Sequence, residues 1–308
     1  MSFKDNTSVH HYSKKIYILN QYPELLPPEV IREVEKQIQA EIVVKEFKNL
    51  TELNSLIIAQ DQYSIILSSE PIVDLLDRQN FTERIQTVIN QEIHEDFVRA
   101  NYKDLSFFLP VFWLTYDFWT DTQIEQIKLY ESLNNKQSKV AYYFPKQIDL
   151  LYSIIQEIYR KESISVDSVD IERLNVDLKP LHFYENILEF QPQSMNLVPH
   201  TLRNYYQQKY PQFKKIESPF ALPIYKIGFG ILKYKPDRAL AFSFIHAYLK
   251  APIQNYLAEK NIYASTLKVS SILSNDLKKA TTLRDLEMKK YRRTEKSPVE
   301  WERLELNP

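Results

Sequence analysis

The fold is decided by residues 16–69, IYILNQYPELLPPEVIREVEKQIQAEIVVKEFKNLTELNSLIIAQDQYSIILSS, where short apolar runs alternate with segments of helical periodicity. Val30, Val34 and Ile38, for example, recur at the spacing of one helix face. The predicted elements are strands at 16–19, 41–45 and 63–67, and helices that begin at Pro28 and at a capping Thr51. This β-α-β-α-β order with short connections predicts an α/β protein with a parallel, doubly wound sheet and right-handed crossovers.

Polar residues follow two of these strands where they end. In open α/β sheets, ligands bind beyond the carboxyl ends of the strands, which here are residues 20–22 and 68–70. Ser68 and Ser69 precede Pro71, which suits the first turn of a helix. Two interpretations of the serines stay open: they cap this helix, or they donate to an anionic group of a ligand at its N-terminus.

The rest of the chain is less regular. An aromatic block at 107–119 is predicted to be a core strand or a cleft wall, and helices are predicted after Thr122, most clearly at 148–158. The proline-containing region at 162–219 is predicted to be folded but irregular. The last part of the chain is predicted to form a helix at 239–249, a break at Pro252, a shorter helix to Lys260 and a charged helical end at 267–308.

Only two glycines, Gly228 and Gly230, occur in 308 residues, where average usage predicts roughly twenty. Phosphate-binding loops, dinucleotide-binding turns and the nucleophile elbow of hydrolases all need glycine at fixed positions. The sequence therefore excludes the commonest nucleotide-binding and hydrolase sites.

Charge and residue content exclude further classes. The net charge of −1 provides no global field for nucleic acid, and the basic run at 289–293 is interpreted as a solvated helix face or tail. There is no cysteine for a disulfide or thiolate site. Histidines at 94, 182, 200 and 246 are scattered, without the spacing of a metal or catalytic motif, so we expect no enzyme, metal or cofactor.

No apolar run approaches the length of a membrane-spanning helix. Residues 1–13 are polar and are predicted to be a flexible leader. They contain no apolar signal-peptide core, which fits either a cytoplasmic start or a mature protein whose secretion signal has been removed.

Several motifs together carry a resemblance by their order and spacing. They are Tyr22-Pro-Glu-Leu-Leu-Pro27-Pro28 before a helix, Ile65–Asp74 with its serine pair, Pro110-Val-Phe-Trp113 at a crossing between domains, and residues 223–232, 239–252, Tyr263 and Trp301 at and after a return crossing. In these motifs the chain resembles the periplasmic spermidine/putrescine-binding proteins, a group of extracellular solute-binding proteins of ABC importers. The likeness covers about two-thirds of the sequence.

The resemblance implies a type II periplasmic-binding-protein fold, with two doubly wound lobes joined by two crossings. Residues 14–114 and 226–308 would form lobe 1, and residues 115–225 would form lobe 2. The protein would capture a small-molecule solute between the lobes by closing at hinges near Trp113 and Tyr225. It would act in the periplasm or elsewhere outside the cytoplasm, and would deliver the solute to an ABC permease.

The resemblance also suggests ligand-binding residues, each with an ordinary alternative. Tyr22, Trp113, Tyr225 and Tyr263 would form an aromatic box around the solute, or else they are buried packing residues. Asp117 and Glu302 would be the carboxylates nearest to the crossings, or else they are surface or structurally paired groups. Ser68 and Ser69 complete the expected set.

The departures from the family pattern bear on the solute. The family shows Trp-x-Asp at the return crossing, and this chain has Tyr225-Lys226-Ile227, so the carboxylate expected to bind an ammonium group is missing. We therefore expect a solute other than an ordinary polyamine. The alternative function is a descendant that has lost transport and serves as a structural or protein-interaction component. The near-absence of glycine fits this alternative, because ligand loops and hinges often use glycine.

Overall fold

The computed structural model describes residues 12–59, 62–83, 85, 107–121, 140–143, 181–184, 191–193, 195–216, 222–223, 225–233, 237–261, 263–267 and 291–292. These residues group into two compact units, and the chain passes from one to the other after Trp113 and again after Tyr225. The first unit draws on Met1–Trp113 and Lys226–Ser274, and the second on Leu114–Tyr225 and Asn275–Pro308.

A seven-stranded sheet forms the centre of the first unit. Its strands in chain order are β1 (Lys15–Asn20), β2 (Glu41–Glu46), β3 (Ile65–Ser69), β4 (Thr82–Glu83), β5 (Leu109–Leu114), β12 (Tyr225–Leu232) and β13 (Ala264–Ser265), with β6 to β11 belonging to the second unit. The order across the sheet is β13-β5-β12-β3-β1-β2, and β4 pairs with β12.

The first three strands confirm the predicted β-α-β-α-β unit. Strand β1 pairs in parallel with β2 and with β3, so its neighbours on both sides run in its own direction. Strand β12 returns from the second unit and pairs antiparallel with β3, and β13 pairs antiparallel with β5. The sheet is therefore mixed, because its late strands arrive by the return crossing and not by a βαβ connection.

The described helices of the first unit are α1 (Pro28–Ile38), α2 (Leu50–Ala59), α3 (Glu70–Arg78), α5 (Arg238–Tyr248) and α6 (Ala251–Lys260), with α4 in the second unit. Proline lies in the first turn of α1 and α3, as predicted, because the backbone N–H that proline lacks has no partner there. Pro252, predicted as a break, lies in the first turn of α6. Helix α2 differs from the prediction at its start. Asn49 Oδ1 accepts from the Glu52 N–H at 2.8 Å, so the cap precedes Thr51, which lies inside the helix.

Apolar side chains cover the sheet of the first unit. One cluster includes Phe47, Leu53, Ile66 and Val73, from or beside β2, α2, β3 and α3. Elsewhere Phe229 of β12 packs edge-on against Phe244 and Tyr248 of α5, with ring centroids 5.6 and 4.9 Å away. The Tyr248 hydroxyl donates to the Leu25 carbonyl oxygen at 2.8 Å, which links α5 to the loop after β1.

The two glycines lie in β12 and serve close packing, since neither has a positive φ. A Cβ placed on Gly228 would come within 2.1 Å of the Leu109 carbonyl oxygen. A Cβ on Gly230 would meet Val73 Cγ1 at 2.8 Å and Ile66 Cγ2 at 3.0 Å. Gly228 therefore contacts backbone, while Gly230 contacts side chains that are able to move.

The second unit contains a five-stranded sheet with the order β10-β6-β9-β7-β8. Its strands are β6 (Tyr116–Thr120), β7 (Val140–Tyr143), β8 (Leu181–Tyr184), β9 (Met195–Pro199) and β10 (Lys214–Ile216). Strand β9 pairs antiparallel with β6 and parallel with β7. A short helix, α4 (Arg203–Lys209), follows β9, and a separate pair joins β11 (Leu222–Pro223) to β14 (Tyr291–Arg292).

The structure departs from two predictions for the later chain. The region at 162–219, predicted to be irregular, contains β8, β9, α4 and β10, whose lengths of three to seven residues are too short for a periodic signal. Tyr291 and Arg292 form strand β14, whereas the sequence predicted helix at 267–308. The aromatic block at 107–119 becomes β5 and most of β6, and every residue of both strands is buried.

The helices predicted at 148–158, the leader at 1–11 and Trp301 lie outside the described residues. Within the part of the chain that is described, no helix is long and apolar enough to cross a membrane.

Candidate functional site

The carboxyl ends of β1 and β3 lie side by side at one edge of the first unit's sheet. The Gln21 N–H donates to the Leu67 carbonyl oxygen at 3.0 Å. The Gln21 side chain turns to the serine pair, where its Oε1 accepts from Ser68 Oγ at 2.6 Å and lies 3.4 Å from the Ser69 nitrogen. This edge, residues 20–21 with 68–70, is called the strand-end site below.

Two fully buried polar groups at the strand-end site have no hydrogen-bond partner in the structure: Asn20 Nδ2 and Ser69 Oγ. Ser69 is the N-cap residue of α3, yet its side chain makes no capping hydrogen bond. Asn20 uses only its Oδ1, which accepts from the Tyr22 N–H at 3.0 Å. An unsatisfied buried group costs about 1–3 kcal/mol, so two together at one edge are unusual in a native core.

A buried ion pair adjoins Ser69. Lys226 Nζ lies 3.4 Å from Glu70 Oε2, and the two side chains are 6% and 5% exposed. The pair forms because Ile227 is in register with Ser69 across β12 and β3, which brings Lys226 and Glu70 to the same place. Ile227 is fully buried.

The structure brings together two of the four aromatic residues predicted for the box. Tyr22 and Tyr263 meet edge-to-face, with centroids 6.2 Å apart, and Phe112 lies 6.4 Å from Tyr263. The Tyr263 hydroxyl donates to Glu24 Oε1 at 3.0 Å. Trp113 is in register with Ala264, the residue after Tyr263, and is fully buried.

Tyr225 is 2% exposed and begins β12. None of the four predicted box residues exceeds 6% exposure, so each ring is already packed by protein. The set remains a prediction, and any role in binding requires these rings to become accessible to the solute.

Asp117 is buried at the centre of a charge cluster of the second unit, whose two cations are partly exposed. Its Oδ2 accepts from Arg203 Nε at 2.7 Å, and its Oδ1 lies 3.2 Å from Arg203 Nη2 and 3.1 Å from Lys215 Nζ. Burial alone would raise the pKa of Asp117, but the Arg203 hydrogen bonds and the two cations outweigh it and hold that pKa below its usual value. The carboxylate expected near the crossing is therefore already paired with two cations.

His200 lies in the same cluster and is fully buried. Its Nδ1 is 3.2 Å from the Thr115 carbonyl oxygen. Burial disfavours the charged imidazolium and lowers the pKa of His200 to about 4, against the opposing attraction of Asp117. His200 is thus neutral in the folded protein at neutral pH.

This shift predicts a loss of stability in mild acid. Between pH 6.5 and 4 a histidine in the unfolded chain becomes protonated while His200 in the folded protein stays neutral, so the unfolded state binds more protons. The contribution of His200 to the free energy of unfolding should fall by about 1.4 kcal/mol for each pH unit within that window. Urea denaturation of the protein and of His200→Asn at pH 7.5, 6 and 5 measures it. The variant should show a flatter profile, and equal slopes for the two proteins would contradict the assignment.

Glu302, the other predicted carboxylate, lies outside the described residues. In the part of the chain that is described, no cluster of three or more histidine, aspartate or glutamate side chains could hold a metal ion.

No protein-family model matches the sequence, and no curated protein matches it. Solved structures do. The spermidine/putrescine ABC transporter substrate-binding protein PotD from Streptococcus pneumoniae is similar with a TM-score of 0.66 and 16% identity, over 94% of this chain and 95% of that one. The TpPotD lipoprotein of Treponema pallidum is similar with a TM-score of 0.60 and 14% identity, over 94% of this chain and 97% of that one. Iron-bound HitA from Pseudomonas aeruginosa is similar with a TM-score of 0.62 and 9% identity, over 94% of this chain and 95% of that one.

One of these proteins is described as a spermidine/putrescine transporter component and another as iron-bound, and all three share one architecture with this chain over nearly its whole length. The chain has the type II periplasmic-binding-protein fold. At such low identities the likeness establishes the fold, as the sequence motifs predicted.

Within this periplasmic-binding fold, the sequence missed most of the polar partners. Lys226 carried a signal, since it is a single charge in an otherwise apolar strand. Asn20 and Gln21 lie in the segment that the sequence marked as a strand end, but neither was singled out. For Arg203 and Lys215, on α4 and β10, no local pattern distinguishes them from other surface cations.

Proposed function

We propose that the protein is an extracytoplasmic solute-binding protein that captures a small molecule and passes it to an ABC-type importer. One observation carries this proposal: structures of transporter substrate-binding proteins match 94% of the chain. The unsatisfied donors at the ends of β1 and β3 support it, because open sheets bind ligands at this edge.

In this proposal lobe 1 consists of residues 14–114 with 226–308, and lobe 2 of residues 115–225. The lobes differ from the two compact units chiefly at residues 275–308, which group with the second unit. Solute binding changes their arrangement through the strands at Trp113 and Tyr225, where the chain passes between the units. The proposed partners are the solute and an ABC permease. The proposed role involves no chemical reaction and places the protein outside the cytoplasm.

The candidate solute-binding residues are those of the strand-end site, together with Tyr22, which follows Gln21 in the chain, and Tyr263, whose ring meets that of Tyr22. Asp117 is proposed as a structural partner of Arg203 and Lys215, since two cations already occupy its oxygens. The unpaired donors lie at the sheet edge where open α/β sheets bind ligands, and we therefore put forward solute transport before a structural role.

The test is native mass spectrometry of the protein purified from its own host, followed by denaturation to release what is bound. We expect a small molecule at near-unit stoichiometry, and small-angle scattering should show that the empty protein becomes more compact when that molecule is restored. An empty protein that carries another polypeptide and keeps a fixed scattering profile would favour the structural alternative.

A further inference from the structure

The side chain at the N-cap of α3 lacks the partner that its position normally supplies. An N-cap serine usually accepts from the N–H of the second or third helical residue. Here the second helical residue is Pro71, which has no N–H, and the Ser69 hydroxyl makes no capping bond. Plain helix capping, one of the two interpretations of Ser69, is therefore not what the structure shows.

Asn20 adds a second donor at the same edge. Its carbonyl oxygen is occupied by the Tyr22 N–H, and the free part of the side chain is the amide Nδ2, which can only donate. Gln21 links the two strand ends, because it follows Asn20 in the chain and its side-chain oxygen accepts from Ser68 Oγ. Asn20 Nδ2 therefore requires an acceptor, and the Ser69 hydroxyl is able to donate to the same group.

The charges around these donors favour a negative acceptor. Helix α3 has its N-terminus at Ser69, where the helix dipole is positive. The carboxylate at the start of the helix, Glu70, is compensated by Lys226 at 3.4 Å. The residue of β12 in register with Ser69 is the apolar Ile227, so β12 supplies no carboxylate opposite Ser69.

We infer that the strand-end site binds a negatively charged oxygen group of the solute, a carboxylate or a phosphate, through Asn20 Nδ2 and Ser69 Oγ. This inference rests on the proposed function and specifies the class of solute. Lys226 adds positive charge beside the site without leaving its pairing with Glu70. An ammonium group at this edge would leave Asn20 Nδ2 unsatisfied, because an ammonium group offers no acceptor.

The test begins with the solute released from the protein purified from its host, whose charge and composition are read by mass spectrometry. Its affinity is then measured by calorimetry for the parent protein, Ser69→Ala, Asn20→Asp and Ser243→Ala. The last is a matched control, because Ser243 is exposed on α5 and donates only to a carbonyl oxygen of its own helix.

We expect an anionic solute, with binding at least about 10-fold weaker in Ser69→Ala, since a hydrogen bond to a charged group is lost. Asn20→Asp should weaken binding further, because it keeps the acceptor for Tyr22 and replaces the donor with a negative charge. Ser243→Ala should bind as the parent does. Circular dichroism and urea midpoints establish that each variant is folded.

The elemental composition of the released molecule distinguishes the two kinds of oxygen group. Phosphorus in it indicates a phosphate, and a carboxylic acid without phosphorus indicates a carboxylate. Inorganic phosphate, succinate, putrescine and spermidine at matched ionic strength are tested by thermal shift on the emptied parent protein, so the solute class is also probed without any variant. Here the anions should stabilise more than the amines.

Separate outcomes overturn the inference and the function. A neutral or cationic solute, or an anionic one bound equally by Ser69→Ala, Asn20→Asp and parent, overturns the inference and leaves solute binding intact. A protein that carries no small molecule and whose melting temperature responds to none of the four compounds overturns the proposed function itself.

Discussion

Replacing Gly228 with alanine is expected to lower the free energy of unfolding by about 3 kcal/mol, the upper part of the usual range for an overpacked core. The added Cβ would lie 2.1 Å from the Leu109 carbonyl oxygen and 2.7 Å from its carbon. These are backbone atoms of the neighbouring strand, which cannot rotate away as a side chain can. The sheet itself must shift, and urea denaturation followed by circular dichroism will measure the loss.

Gly230→Ala is the matched control in the same strand. Its Cβ would meet methyl groups of Val73 and Ile66 at 2.8 and 3.0 Å, and both side chains can adjust by a few tenths of an ångström. Alanine also restricts the unfolded chain more than glycine, which offsets part of the cost. We expect a loss of about 1 kcal/mol. Equal losses for Gly228→Ala and Gly230→Ala would contradict the difference between backbone and side-chain contacts.

Replacing Lys226 with methionine is expected to destabilise the protein by roughly 3–5 kcal/mol, because it leaves the Glu70 carboxylate buried without its cation. Both side chains are at least nine-tenths buried and 3.4 Å separates Nζ from Oε2. Methionine preserves much of the lysine stem, so packing changes little and the lost charge dominates. Urea denaturation at pH 7 provides the measurement.

The double variant Lys226→Met with Glu70→Gln separates the ion pair from other contacts. Removing both charges at once takes away the uncompensated carboxylate, so most of the stability should return. The single variant Glu70→Gln completes the cycle. If the losses of the two single variants simply add in the double variant, the two groups are not coupled and the pair has no role in stability.

A large part of the first unit could be predicted from local pattern. The alternation at 16–69 predicted β1 to β3 with α1 and α2, and the serine pair before Pro71 predicted α3, because each element is short, amphipathic or apolar, and bounded by proline or polar residues. The predicted cap, Thr51, lies two residues after the actual cap, Asn49, since both offer a suitable side-chain oxygen and only the structure shows which one bonds.

Prediction was poorer in the second unit for a physical reason. Its described strands and helix are short, so periodicity along the chain does not specify them. They are specified instead by side-chain pairing across β6, β9 and β10. The sequence predicts Asp117 as a carboxylate near a crossing, with structural pairing as an alternative, but it does not indicate the partner, because Arg203 lies on a helix that no pattern connects to Asp117.

The sequence by itself determined the class of fold, because periodicity, helix-start residues and the absence of glycine-dependent motifs are properties of neighbouring residues. It also marked the two strand ends and the missing carboxylate at Ile227. Only the tertiary structure decided which polar groups meet there. The Glu70–Lys226 pair, the unsatisfied Asn20 and Ser69 donors and the close contact at Gly228 all depend on strand order and register, which bring together residues far apart in the chain.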